Sequence, residues 1–356
     1  MIYKYKYFIP QNTAPSGAKA IGIYNDQGEK VCEIPLGRMT RPIVQKLYSF
    51  GLVSDIHISS NLNVAWKPIE KFQNALAYFE NNGCAFCCVS GDLTQTGFYK
   101  RTDESDSSTT YLDETQLNEY KKVCDNCTIP VYEICGNHES YYGMPITNNL
   151  DKLETYTGKG VLDYTEIQGD DLFIFIGQPS GNTPMTDKAL QDLYITLEAN
   201  RNKRCFIFVH PHISCGNPLN AYTSNEIFSW WGTKTTAFKN LLKHYKNTIV
   251  FHGHTHTKFE CQEVDSKANF NDAEGFKSVH IPSLGRPRNV VDGVISSYIE
   301  TESQGYTVDV YDNCIVLNGI DLINNKPIPL GTYKIDTTLQ TVEANTFTDS
   351  TGTITI

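Results

Sequence analysis

No run within the 356 residues approaches the roughly 18 consecutive apolar positions of a membrane-spanning helix, so no transmembrane segment is expected. The start, Met1-Ile2-Tyr3-Lys4-Tyr5-Lys6-Tyr7-Phe8, lacks both a long apolar centre and a small-residue cleavage site, so no secretory signal is expected either. Positive charge is short: 30 Lys and Arg against 40 Asp and Glu leave a formal net charge of -10. That balance argues against a basic face that wraps a long nucleic acid, while a short or small phosphate ester stays open as a ligand. No internal repeat is present. Cysteine is plentiful at eleven, but the odd number and the scatter exclude a compact disulfide framework. Free thiols are expected, with a cytoplasmic location or a particle assembled there. Cys84, Cys87 and Cys88 sit in an apolar run that suits a sheet interior. Cys124 and Cys127 form a CxxC pair that lacks the two further soft ligands of a structural zinc site.

What is present suffices for a sizeable core, since 40% of the residues are hydrophobic. Residues 1–45 alternate apolar and polar positions around a turn at Asn25-Asp26-Gln27-Gly28, which predicts a β-rich N-terminal extension. Arg41-Pro42 then separates it from the main domain, expected over 46–318. That domain opens on a buried strand at Lys46–Val53, followed by helical spacing of Ile69, Phe72, Leu76 and Phe79. Strands at 84–89 and 129–135 flank a helix around 114–124, a βαβαβ order that predicts parallel strands. A second block alternates strands at 172–177, 205–209 and 248–251 with helices near 187–199 and 234–245, and a short β series runs from Lys258 to about Leu317. Residues 319–356, rich in Thr, Asn and Asp, are expected to form an irregular or β-rich tail. The polar stretch between Gly97 and Glu114 is expected to be a surface loop.

Every cluster of metal-type residues falls just after one of these strands. Asp55-Ile56-His57 follows the first, Gly91-Asp92 the second and Gly136-Asn137-His138-Glu139 the third. His210 follows the strand at 205–209, and Gly253-His254-Thr255-His256 the strand at 248–251. Ligands in open α/β sheets bind beyond the carboxyl ends of parallel strands, so the five loops are expected to converge on one rim. Carboxylate, amide oxygen and imidazole without thiolate favour catalytic manganese, iron, zinc or nickel over a structural zinc knot. Asp92, with two oxygens, can bridge a pair of divalent metals, which in binuclear sites lie about 3.5–4 Å apart. Gly91, Gly136 and Gly253 allow the close backbone approach that such a centre needs.

These motifs, D-x-H, G-D, G-N-H-D/E, a lone H and G-H-x-H in order, resemble the calcineurin-like metallophosphoesterase family over roughly residues 47–290. The resemblance implies an α/β fold, a four-layer α/β/β/α sandwich of two mixed sheets flanked by helices, here with β-rich extensions at both ends. It implies that Asp55, His57, Asp92 and His256 hold a first metal. Asp92 would bridge to a second, completed by Asn137, His210 and His254. His138 and Asp92 would be the catalytic residues, His138 protonating the leaving oxygen. Purple acid phosphatases carry a tyrosine ligand where this chain has Gln95, so that subclass is not expected, and Asp-Ile-His with Gly-Asp-Leu-Thr is more similar to the branch that contains phosphodiesterases.

The expected activity is metal-dependent hydrolysis of a small phosphomonoester or phosphodiester, nucleotide-type esters included, by a hydroxide bridging the metals. Two metals add about +4, two carboxylates and the hydroxide remove three, and the resulting local charge of about +1 attracts a phosphate to an acidic protein. The alternative is a structural or adhesive component of a larger assembly, such as a phage particle, that uses the fold as a scaffold and associates through its extensions. Other residues carry weaker signals. His252 is expected to point away from the metal face by strand alternation, and His244 and His280 to be structural. His212 could reach the substrate or sit in a loop. Tyr222, Trp230 and Trp231, near Asn217, suit either base stacking or a core. Arg286 and Arg288 suit a phosphate grip or, more commonly, a solvated surface.

Overall fold

The computed structural model describes residues 20–24, 30–35, 45–97, 99–101, 110–112, 114–143, 150–157, 163–180, 185–213, 234–263, 266–291, 294–343, 347–349 and 352–354. The chain divides into two compact units, residues 1–45 and 46–356. In the first, β1 (Ala20–Tyr24) and β2 (Lys30–Pro35) pair antiparallel. The expected turn at 25–28 lies outside the described residues.

The second unit begins with β3 (Lys46–Val53), α1 (Pro68–Asn81) and β4 (Cys87–Ser90). A small hairpin, β5 (Tyr99–Arg101) and β6 (Thr110–Leu112), precedes α2 (Thr115–Asp125) and β7 (Val131–Ile134). The chain continues through α3 (Leu150–Thr157), β8 (Asp163–Gln168), β9 (Asp171–Ile176), α4 (Asp187–Ala199) and β10 (Cys205–Phe208). Then come α5 (Thr235–His244), β11 (Thr248–His252), β12 (Phe270–Asn271), β13 (Lys277–His280), β14 (Arg288–Val291) and β15 (Val294–Tyr298). Last are β16 (Gln304–Tyr311), β17 (Cys314–Asp321), β18 (Lys326–Asp336), β19 (Phe347–Asp349) and β20 (Gly352–Ile354).

Two six-stranded mixed sheets carry the architecture, in the orders β18-β17-β16-β3-β4-β7 and β12-β13-β11-β10-β9-β8. As the alternation of strands and helices predicts, β3, β4 and β7 run parallel, and so do β9, β10, β11 and β13. Between the sheets lies an aromatic core in which Phe50, Phe173, Phe206, Phe208, Phe251 and Tyr306 are almost wholly buried. On the outer faces, α1 buries Phe72, Leu76 and Phe79 against the first sheet, while α4 and α5 bury Leu190, Leu193, Phe238 and Leu241 against the second. The result is the four-layer sandwich. No helix among the described residues is long and apolar enough to cross a membrane. All nine described cysteines are free, and Cys87, Cys88 and Cys135 are fully buried.

The expected boundary at 318/319 falls inside β17, and within the stretch expected to be an irregular or β-rich tail β18 carries the first sheet on to Asp336. Ile328, Leu330 and Tyr333 of that segment pack on the aromatic core. The pairing register shifts between Leu317 and Gly319, which breaks the period-two pattern and hides the strand in a polar composition. The two sheets are also tied by a buried polar staple. Arg204 donates from Nε to Asp171 Oδ1 at 2.8 Å and from Nη1 to the Tyr311 carbonyl at 2.6 Å and Thr337 Oγ1 at 3.0 Å.

Candidate metal centre

The parallel strands of the two sheets end at one rim, where their loops are laid side by side by backbone hydrogen bonds. The amides of Asp55 and His57 donate to the carbonyls of Gly91 and Asp92, each at 3.0 Å. Within the first sheet, Ser54 Oγ donates to the Ser90 carbonyl at 2.9 Å, and across the sheets Ser90 Oγ donates to the Val209 carbonyl at 2.7 Å. Gly253 N donates to the His210 carbonyl at 3.1 Å, joining the β11 loop to the β10 loop.

This arrangement holds the donors in strained backbone. Asp55, His57, Asp92, His254 and His256 have φ between 52° and 75°, the left-handed region that costs a non-glycine residue about 1–2 kcal/mol. Such strain persists only where surrounding contacts over-determine it, and here it is confined largely to the rim. Close approach explains two glycines directly. A Cβ on Gly136 would lie 2.2 Å from Asp92 Oδ1, and one on Gly253 would lie 2.0 Å from Ser54 Oγ and 2.5 Å from Asp55 Oδ2.

Two groups of side chains converge. The ligand atoms of Asp55, His57, Asp92 and His256, all buried, lie within 4.8 Å of one another, and so do those of Asp92, His210 and His254. Asp92 belongs to both. His57 Nε2 and His256 Nε2 are 3.0 Å apart, and His256 Nε2 is 3.3 Å from Asp55 Oδ1. His210 Nε2 lies 3.1 Å from Asp92 Oδ2 and 3.1 Å from Asn137 Oδ1, which brings Asn137 to the second group. All seven residues expected as ligands thus meet in one place.

Hydrogen bonds behind the rings orient them. His256 Nδ1 donates to the Arg286 carbonyl at 3.0 Å, and His210 Nδ1 to the Ser90 carbonyl at 2.8 Å. A carbonyl only accepts, so each Nδ1 carries a proton and each Nε2 faces inward as a potential lone-pair donor. Burial works against charge on Asp55 and Asp92, yet the neighbouring His256 and His210 hold both carboxyls well below the usual range. Burial pushes His57 well down and His254 down to about 3, so both rings stay neutral. His210 is the exception: burial opposes its charge, but the Asp92 carboxylate pushes it up to about 9. Carboxylate oxygens and imidazole nitrogens are donor types that divalent metals take, and the two groups, which share Asp92, fit a pair of them.

His138 sits beside this space, its side chain 15% exposed, with Nε2 3.9 Å from Asp92 Oδ2 and its ring edge-on to His57 at 4.5 Å. Its Nδ1 donates to the Gln95 carbonyl at 2.7 Å and its amide to Asp92 Oδ1 at 2.9 Å. Burial holds the imidazole below its ordinary value.

Some residues had no expected role. Glu139 accepts from Thr94 N at 2.8 Å and from Gly136 N at 2.7 Å, bracing two ligand loops. Burial, followed by the Asp92 charge, pushes its carboxyl up to about 7. The motif Gly136-Asn137-His138-Glu139 is the available signal, since Glu139 closes it. Trp66 donates to the His57 carbonyl at 3.1 Å, and no motif marks it. Arg286 is half-buried against Trp66 and Tyr298 instead of lying on a solvated surface. His252, as expected, points away from the centre, its Nδ1 3.1 Å from His212 Nδ1. His212 therefore meets His252, and His280 meets Thr255 at 2.8 Å. Asn217, Tyr222, Trp230 and Trp231 lie outside the described residues, as does most of the 97–114 loop.

Comparison with known proteins adds three findings. A family profile described as calcineurin-like phosphoesterase matches residues 48–258, more than half of the chain. A dimetal phosphatase from Danio rerio superposes with a TM-score of 0.56 at 13% identity, covering 83% of this chain and 100% of that one. GAP50, the anchor in the inner membrane complex of Plasmodium, superposes with a TM-score of 0.53 at 13% identity, covering 84% of this chain and 91% of that one. At such identities the likeness shows the fold alone. No curated protein matches by sequence.

Proposed function

The chain belongs to the calcineurin-like phosphoesterase family, and from that membership we propose that it hydrolyses a phosphomonoester or phosphodiester in a reaction that depends on two divalent metals. The observation that carries this reading is the pair of buried donor groups that share Asp92. Asp55, His57, Asp92 and His256 would hold one metal, and Asp92, Asn137, His210 and His254 the other. Bound there, the metals supply Lewis-acid polarisation of the phosphoryl group and a water acidic enough to act near neutral pH.

The protein's own contribution is orientation and proton transfer. Ser90 and Arg286 carbonyls fix two ligand rings, and Glu139 fixes the loops that carry Asp92 and Asn137. His138 presents Nε2 toward the centre and serves as proton donor to the leaving oxygen. Burial holds this imidazole below its ordinary value, so its contribution as an acid is expected to be largest on the acidic side. Replacing His138 by Ala tests the role by comparing an alkyl phosphate with a nitrophenyl phosphate, whose leaving group needs little protonation. A much larger loss on the alkyl ester is expected, and equal losses would overturn the assignment. No observation among the described residues favours a purely structural scaffold, which would have no use for a complete set of strained metal donors.

A further inference from the structure

Beside the Asp55, His57, Asp92 and His256 group lies a cation that the proposed reaction has not used. The Arg286 guanidinium is sandwiched between two rings, 4.5 Å from the centroid of Trp66 and 4.4 Å from that of Tyr298. Each ring is tied to a metal-type residue: Trp66 donates to the His57 carbonyl, and Tyr298 lies 5.3 Å from the His256 ring. The backbone of Arg286 accepts from His256 Nδ1, and its Nη2 donates at 3.0 Å to Gln95, whose carbonyl accepts from His138.

Among the described residues Arg286 makes no ion pair with a carboxylate, and its Nε is buried without a partner. A guanidinium offers five N–H donors in a planar fork, and here one neutral amide engages part of it. Stacking on Trp66 and Tyr298 fixes the plane of the fork, and Nη1, which is neither hydrogen-bonded nor buried among the described residues, is the donor left to meet a phosphate oxygen beside Nη2. Arg288 stands 4.7 Å from the same Tyr298 ring, so the rim gathers positive charge next to a centre already suited to anions.

We propose that Arg286 is a substrate-binding residue that clamps the phosphate, that Tyr298 positions it, and that the site thereby prefers a phosphomonoester to a phosphodiester. The inference rests on the phosphoesterase reading and deepens it. Two metals, two carboxylates and a hydroxide leave about +1, and Arg286 raises this to about +2, which matches a monoester carrying about -1.5 to -2 at neutral pH. A diester carries a single negative charge and leaves the extra cation unmatched.

The test uses the manganese-loaded full-length protein, with inorganic phosphate as calorimetric probe and two substrates, nitrophenyl phosphate and bis(nitrophenyl) phosphate. Arg286→Met should weaken phosphate binding by about 10- to 100-fold, the range for a lost charge-assisted contact, and raise KM for the monoester. Its loss on the monoester should exceed its loss on the diester at least about tenfold. Arg286→Lys, which keeps the charge but not the fork or the stack, should recover only part of the binding. Tyr298→Leu should weaken phosphate binding while Tyr298→Phe, which keeps the ring, should restore it. Unchanged phosphate affinity in Arg286→Met, or equal losses on both esters, would overturn the proposal. If the wild type bound phosphate and two metals but turned over neither ester, the hydrolase reading would fail, and the phosphate titration would still decide the role of Arg286.

Discussion

Replacing Gly136 by Ala adds one methyl group at the most crowded point of the centre. The new Cβ would stand 2.2 Å from Asp92 Oδ1, 2.5 Å from Asp92 N and 2.8 Å from His210 Cδ2, where real Cβ contacts essentially never fall below 3.0 Å. Asp92 cannot simply rotate away, because Oδ1 accepts the His138 amide and Oδ2 faces His210 at 3.1 Å. The carboxylate or its loop must therefore retreat by about 1 Å, a displacement that costs on the order of 100-fold in rate at a preorganised site. Overpacking adds about 1–3 kcal/mol of destabilisation. Gly83→Ala supplies the control: φ is +71° and nothing lies within 4 Å, so that change brings backbone strain of about 1–2 kcal/mol and no clash. Thermal unfolding, calorimetric manganese titration and ester turnover should be measured on both. The two variants should lose comparable stability, while Gly136→Ala alone loses metal affinity and turnover. Gly136→Ala with two metals and a rate within about threefold of wild type would refute the reasoning, since the displacement argument demands far more.

Other consequences follow from the same structure. Arg204→Met leaves the buried Asp171 carboxylate without its charged partner, and should cost about 3–5 kcal/mol in denaturant unfolding, with part recovered when Asp171 is also made apolar. Deleting 326–356 removes β18 and uncovers β17, so the protein should melt lower or become insoluble, whereas an unchanged melting temperature would show that the strand is dispensable. His210, pushed up to about 9 in the metal-free protein by Asp92 against the effect of burial, must lose its proton to coordinate. Metal affinity should therefore rise with pH up to about 9, with protons released at pH 7, and titrations in buffers of different ionisation enthalpy would reveal whether that release occurs.

The parallel strands were legible because β4, β9, β10 and β11 are buried on both faces and so appear as unbroken apolar runs. The ligand loops were legible because each follows such a run with residue types that have little reason to cluster otherwise. That β18 joins the first sheet was not, since one face is open to solvent and the register shift at Leu317 and Gly319 separates Ile328 and Leu330 from Tyr333 and Ile335. Nor could spacing reveal the left-handed backbone of His57 or His256, residues whose types do not announce a positive φ. Trp66 and Arg286 are 220 positions apart, and their stack is a product of tertiary packing that neither local sequence encodes.

The central claim is that one rim holds two metals joined through Asp92. Anomalous diffraction from crystals soaked in manganese tests it most directly. The account predicts two peaks about 3.5–4 Å apart on either side of the Asp92 carboxylate. One should be ringed by Asp55, His57 and His256, the other by Asn137, His210 and His254. A single peak, or manganese bound elsewhere with these side chains still hydrogen-bonded to one another, would contradict it.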